Sequence, residues 1–246
     1  MKSDISIVIP AYNESARLGA PLTTVIDYAN KADVAIEIIV VDDGSSDDTA
    51  DVAKKAFAAS PDLPSNVIRY EENRGKGFAI KTGLLAANAD IALFTDADLS
   101  TPIEEMPKLT DPIKNDSFDL TFGSRALDRS LIGTHQPWTR EQGGRVVNLI
   151  IRKMTGLPFA DTQCGFKAFN MVKFRPLLDL MTIDRFGFDI EFLFVANYNA
   201  LRLAEIPVRW NDVAGSKVSP VRDTWRMVRE LMQIRRNAKN GVYDLG

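Results

Sequence analysis

Ile91-Ala92-Leu93-Phe94-Thr95-Asp96-Ala97-Asp98 decides how the first half of the chain is read. Its uncharged opening, β-branched at both ends, predicts a buried strand over 91–95. The run leaves two carboxylates one residue apart at the carboxyl end, where open α/β sheets receive their ligands. Such a pair supplies hard oxygen ligands for Mg²⁺ or Mn²⁺, and a cation held there grips a diphosphate. Taken alone, Asp-x-Asp is equally a turn-prone strand exit, so the reading depends on its surroundings.

Working outward, Ile5-Ser6-Ile7-Val8-Ile9, Glu37 to Val41 and Val67 to Tyr70 are further short β-branched runs. Between them, Leu18, Leu22, Val25, Ile26 and Ala29 share helical spacing, as do Val52, Ala53, Ala56 and Phe57, and Phe78, Ile80, Leu84 and Leu85. Strands alternating with helices predict an α/β fold, a Rossmann-like, mostly parallel sheet with helices on both faces. Ser45-x-x-Asp48 predicts a capping pair opening the second helix. Residues 1–100 thus read as a nucleotide-binding half. From Phe118-Asp119-Leu120-Thr121-Phe122 onward the pattern loosens, with Gly143-Gly144, a helix from about Arg145 to Met154 and the polar stretch 161–165. We assign about 101–218 to the acceptor half of a 1–218 catalytic domain.

Residues 219–246 read as a basic amphipathic helix and tail. Val221, Trp225, Val228, Met232 and Arg235 share one stripe, and Arg222, Arg226 and Arg229 another. Six basic residues between 221 and 240 face only Asp223 and Glu230. This suits peripheral contact with an anionic membrane or a phosphate-bearing lipid, and equally an ordinary surface helix packed on the core.

A chain of 246 residues, 45% apolar, is long enough for one large α/β domain, and its net charge of −3 excludes a global nucleic-acid footprint. Cys164 is the single cysteine, so no intramolecular disulfide forms. No apolar run reaches the ~18–20 residues that span a bilayer, and Met1-Lys2-Ser3-Asp4 does not open a secretion signal. The expected location is cytoplasmic, with any membrane contact peripheral at the inner face. His135, the single histidine, excludes a multi-histidine metal site.

Pro10-Ala11-Tyr12-Asn13-Glu14, Val41-Asp42-Asp43-Gly44-Ser45-Ser46-Asp47-Asp48-Thr49, Asn73-Arg74-Gly75-Lys76-Gly77 and Asp96-Ala97-Asp98 form an ordered set. Together they resemble the family-2 glycosyltransferases of the A-type fold, over about residues 5–210. Asp161-Thr162-Gln163-Cys164-Gly165-Phe166-Lys167 resembles the segment of the dolichyl-phosphate β-glucosyltransferase branch and of related polyprenyl-phosphate glycosyltransferases. The resemblance implies a hexosyltransferase that moves a sugar, with inversion, from a nucleotide-sugar donor to a polyprenyl-phosphate acceptor. UDP-glucose is the first choice of donor and GDP-mannose the second; a polysaccharide or small-molecule hydroxyl is the alternative acceptor. A non-catalytic nucleotide or lipid-headgroup binding module would need only part of these motifs. A nucleotide-sugar pyrophosphorylase is disfavoured because its long Gly-rich N-terminal loop is missing.

The residues take roles accordingly. Pro10, Tyr12 and Glu14 are expected to wall the base and ribose, and Asp43 to accept a base N–H, whereas a capping aspartate suits Asp47 or Asp48 better. Asn73 to Gly77 opens a helix with two glycines that bring backbone N–H groups to phosphate, Lys76 adding charge. Asp98 is the expected metal ligand, with Asp96 reaching metal or ribose and Ala97 between them on the donor. Where some members of the resembled family carry a Gln, this chain has Ser100, a weaker metal ligand than Gln. Arg125 and Arg140 are fork-shaped partners for the acceptor phosphate, with Gln163 close by. Arg140, Gly144 and Asn148 share a helical face. Asp189 is the candidate base or acceptor orienter and Glu191 the reserve, both also fitting favourable acid placement at a helix start. Cys164 reads as a packing residue.

Overall fold

A strand covered on both faces needs apolar side chains at successive positions, and the first two strands meet that demand. In a computed structural model describing residues 2–134, 137–185, 187–213 and 220–245, with the side chains of 138–140 and 220–225 left aside, the chain opens as regular alternation. The order is β1 (Ile5–Ala11), α1 (Gly19–Lys31), β2 (Ile36–Asp42), α2 (Thr49–Ala58), β3 (Ser65–Arg69), α3 (Lys76–Ala86) and β4 (Ile91–Thr95). Then come α4 (Met106–Lys114), β5 (Leu120–Ser124), β6 (Ile132–Thr134), α5 (Trp138–Thr155), β7 (Phe166–Asn170), α6 (Met171–Leu178) and α7 (Phe188–Tyr198). β8 (Leu203–Pro207), β9 (Trp210–Asn211) and α8 (Pro220–Lys239) close the chain.

The main sheet runs β3-β2-β1-β4-β7-β5-β8, with β6 and β9 forming a small separate pair. β1 to β4 pair in parallel, as do β5 and β8, while β7 lies antiparallel between β4 and β5. Ile5, Ile7 and Ile9 point into one core with α1, α2 and α4. Val8, Ile39 and Val41 point into the other with α3, α5, α6, α7 and α8. Helices therefore cover both faces, as the alternation predicts. Gly83 lets α3 lie directly on Val8 and Val41, which a Cβ there would strike.

Three local expectations need correction. Ser45 does not cap α2: its Oγ accepts the Asn13 N–H at 2.9 Å, and Asp47 accepts the Thr49 N–H at 3.0 Å instead. Asp47 also takes Ser15, and these bonds overcome its burial and hold its carboxyl at about 2. α5 begins at Trp138, well before Arg145, and runs through Gly143-Gly144 to a left-handed Gly156 at φ 75°. On α8 the buried stripe is Met227, Leu231 and Ile234, while Met232 is 52% exposed. Met227, Leu231 and Ile234 join the core cluster and α8 packs against α5, while the side chains of Val221, Arg222 and Trp225 lie outside the described residues. Among the described residues no helix is long and apolar enough to cross a membrane.

Candidate active site

Because β7 pairs antiparallel with β4, the turn entering β7 meets the turn leaving β4. The Asp96 N–H donates to the Gly165 carbonyl at 3.2 Å, and the Asp96 carboxylate rests against the Gly165 Cα, leaving no room for a Cβ. Gly165 is thus fixed by close approach. Gly165→Ala is expected to push the Asp96 carboxylate away and weaken Mn²⁺-dependent donor binding by about 10–100-fold while the chain still folds. Donor titration calorimetry with and without Mn²⁺, beside a melting curve, checks this.

Gly75, at φ 113°, turns the chain into α3 so that Lys76 starts the helix and places its Nζ 2.5 Å from Asp96 Oδ1. Burial alone would lower the Lys76 pKa, but Asp96 and Asp189 outweigh it and hold the ammonium charged. Asp184 and Arg185 lie against Gly75, and the Asp184 carbonyl accepts the Phe78 N–H at 3.1 Å. This contact brings the start of α7 to the site. Asp189 there accepts the Lys167 Nζ at 2.7 Å, and the same ammonium donates to the Cys164 carbonyl at 2.7 Å. Lys167 is wholly buried beside the rings of Phe94 and Phe122, 5.5 and 6.0 Å from their centroids. Burial pushes the Asp189 carboxyl up, against the pull of Lys167 and Lys76. Asp96, Lys76, Asp189 and Lys167 therefore form one alternating chain of charge.

Asp98 sits in a turn that leaves Leu99 left-handed, at φ 49°, and its Oδ1 accepts the Ser100 N–H at 3.0 Å. Among the described residues no three His, Cys, Asp or Glu side chains form a closed metal cage. Asp96 and Asp98 present hard oxygens, which fits Mg²⁺ or Mn²⁺ bound through one or two carboxylates with substrate phosphates completing the shell.

Asp43 is buried and accepts five hydrogen bonds: Tyr70 Oη, the Arg74 N–H and the Gly75 N–H on Oδ1, Asn73 Nδ2 and again the Gly75 N–H on Oδ2. The N–H groups of Arg74 and Gly75, expected to meet phosphate, are thereby engaged by Asp43, which builds the phosphate-side loop. Asp43→Asn leaves donors without an acceptor, an expected loss of about 1–3 kcal/mol in urea unfolding with a raised KM for the donor. Pro10 is buried near the carboxyl end of β1, and Tyr12, just beyond the strand, is 43% exposed. Glu14 is clasped by Arg17 at 2.8 and 2.7 Å.

On the other side, the Arg125 guanidinium gives both prongs to Asp161 at 2.7 and 2.8 Å. Although burial raises the Asp161 carboxyl, Arg125 brings it below the usual carboxylate range. Arg125 therefore pins the 161–165 segment, and the free fork expected for acceptor phosphate is not present in this geometry. Asn148 donates to the Phe159 and Ala160 carbonyls, and Gln163 caps toward Asp161 through its N–H at 3.3 Å. The Arg140 side chain, like His135, lies outside the described residues. Glu191 is fully buried and accepts from Thr182, Ile183 and Tyr243, so it holds a loop and not a substrate. Cys164 is buried, its thiol pushed up to about 12. Sequence reasoning missed Lys167; its signal was a lone lysine inside the apolar run Phe166-Lys167-Ala168-Phe169.

An acidic pair beside a lysine-headed helix, at the carboxyl edge of a mixed sheet covered on both faces, defines a nucleotide-dependent group-transfer enzyme of the α/β class. The sequence model for glycosyl transferase family 2 matches residues 6–177, and the chain belongs to that family. Dolichyl-phosphate beta-glucosyltransferase of Dictyostelium discoideum is 30% identical over 98% of this chain and 76% of its own length. The Homo sapiens enzyme of that name is 30% identical over 98% of this chain and 78% of its own. Glucosyl-3-phosphoglycerate synthase of Mycobacterium tuberculosis, solved with Mn²⁺, UDP and glucosyl-3-phosphoglycerate, shares the fold. Its TM-score is 0.64 at 22% identity, covering 99% of this chain and 82% of that one.

Proposed function

We propose that this chain transfers glucose, with inversion, from UDP-glucose to a dolichyl or polyprenyl phosphate, using Mg²⁺ or Mn²⁺. The observation that carries the reading is the Asp96–Lys76 pair, with Asp98 beside it, facing Asp189 at the edge of β4. In the transfer the bond from the anomeric carbon to the diphosphate oxygen breaks, and an acceptor phosphate oxygen bonds to that carbon from the opposite face. Lys76 is placed to stabilise charge gathering on the departing diphosphate. A divalent cation, when bound by Asp98 and Asp96, supplies further neutralisation of that charge. A phosphate monoester, with its second pKa near ~6, is already largely dianionic at neutral pH and needs no strong base. Asp189, locked by Lys167, then orients the acceptor.

A second reading, transfer to a hydroxyl, is favoured by one observation: burial raises the Asp189 carboxyl, which makes its carboxylate a better proton acceptor. Lipid access is supported by Val146 and Leu149, exposed on α5 among Arg145, Arg152 and Lys153, which suits peripheral contact with an anionic bilayer. The test incubates the protein with UDP-glucose or GDP-mannose, with Mn²⁺, Mg²⁺ or EDTA, and with or without farnesyl phosphate. The expected outcome is glucosyl lipid plus UDP only with UDP-glucose, cation and lipid together. Equal UDP release without lipid, or transfer to free glycerol-type hydroxyls, overturns the lipid-phosphate assignment.

A further inference from the structure

Tyr243 follows α8 in the chain yet is wholly buried, and its Oη donates to Glu191 Oε1 on α7 at 2.6 Å. Glu191 is itself enclosed, and a buried carboxylate keeps its place only while the donors around it keep theirs. Further donors come from one loop: the Thr182 N–H at 3.0 Å, the Thr182 hydroxyl at 2.8 Å and the Ile183 N–H at 2.9 Å. From α8, Asn237 donates to the Thr182 hydroxyl at 2.9 Å and to Tyr243 Oη at 3.2 Å. Residues 182–183 are thus tied to α7, to α8 and to the segment beyond it.

What that loop touches next is the donor side. The Asp184 carbonyl accepts the Phe78 N–H in the first turn of α3 at 3.1 Å, and a Cβ on Gly75 would lie 2.5 Å from the same oxygen. The Ile183 carbonyl and the Phe188 Cβ press on Gly77 in the same way, at 2.8 and 2.5 Å from where its Cβ would stand. Lys76 sits between those two glycines, so the backbone on both sides of it is seated on this loop.

We propose that Tyr243 is a positioning residue: through Glu191 it holds the 182–184 loop against the start of α3, and so keeps the Lys76 ammonium aligned on the departing diphosphate. Being wholly buried, it touches no substrate itself. The inference rests on the transferase reading above and adds a residue that lies outside every motif of the sequence. A displacement of about 1 Å at a catalytic group costs up to ~10²-fold in rate, so a loosened seat shows in turnover.

The test compares Y243F with wild type in the full chain, since phenylalanine keeps the ring and loses only the hydroxyl. With UDP-glucose, Mn²⁺ and farnesyl phosphate, kcat is expected to fall about 10-fold. The KM for UDP-glucose should stay within about threefold, because the lysine acts on charge that develops in the transition state. Amide hydrogen exchange over residues 76–80 should quicken at least about 10-fold, while that of α1, on the opposite face of the sheet, stays within about twofold. T182V cuts the same network from the loop side and should repeat the pattern, which keeps the comparison open if Y243F fails to fold. Val25→Ala, a cavity in α1, should lower the melting temperature and leave kcat at the wild-type value. Wild-type kcat in Y243F and T182V, unchanged exchange over 76–80, or an increase spread equally over α1 and α3 overturns the positioning role and leaves the transferase reading intact. Selective loosening of 76–80 in a protein whose wild type never releases UDP from UDP-glucose sinks the transferase reading, while the coupling of Tyr243 to α3 stands.

Discussion

Asp98→Asn is expected to lower kcat/KM for UDP-glucose by at least about 10³, or ~4 kcal/mol of transition-state stabilisation. The amide keeps an oxygen that can accept the Ser100 N–H, so the turn after β4 survives. What it loses is the negative charge that attracts a divalent cation to the diphosphate. Stability should therefore remain within about 0.5 kcal/mol of wild type, as for a partly exposed substitution that breaks no buried contact. Asp96→Asn differs, because it also removes the negative charge that sits 2.5 Å from the Lys76 ammonium. Steady-state UDP release across a Mn²⁺ series, run with a melting curve, separates the two variants. Wild-type turnover in Asp98→Asn contradicts the metal assignment.

Lys167→Met is expected to destabilise the fold by about 3–5 kcal/mol, the range for removing one partner of a buried ion pair. The substitution leaves the Asp189 carboxylate buried against Phe-rich packing and the Cys164 carbonyl without its donor. Replacing both ends, Lys167→Met with Asp189→Leu, should recover most of that loss, since two apolar side chains carry no unmet charge. Urea unfolding of the two single variants and the double variant measures the coupling. A double variant no more stable than Lys167→Met alone would falsify the pair as the source of the effect. Catalytically the double variant should stay impaired, because stability returns without the carboxylate that orients the acceptor.

How much was legible in the sequence follows from how far apart the interacting residues lie. β1, β2 and β4 announce themselves within five or six residues, and β4 was read to its exact limits from Ile91 to Thr95. β7 was missed because Lys167 breaks the apolar pattern; a lysine belongs there only once Asp189, twenty-two positions on, folds back to meet it. Asp43 was placed at the donor loop from its turn, but the donors that fill its carboxylate come from residues 70–75. Arg125 looked available for phosphate until Asp161 was brought alongside. The buried Met227, Leu231 and Ile234 stripe of α8 went unread because periodicity gives the spacing of apolar residues without saying which neighbour covers them.

By itself, the sequence determined the parallel nucleotide-binding half, the acidic pair at its edge and the family, because strand patterns and turn motifs are local and survive without knowledge of partners. Only the tertiary structure decided which charges are engaged and which stand open. Register across β4 and β7, and the docking of the α7 loop on Gly75, bring together groups far apart in the chain. Whether a guanidinium or carboxylate is neutralised depends on that meeting.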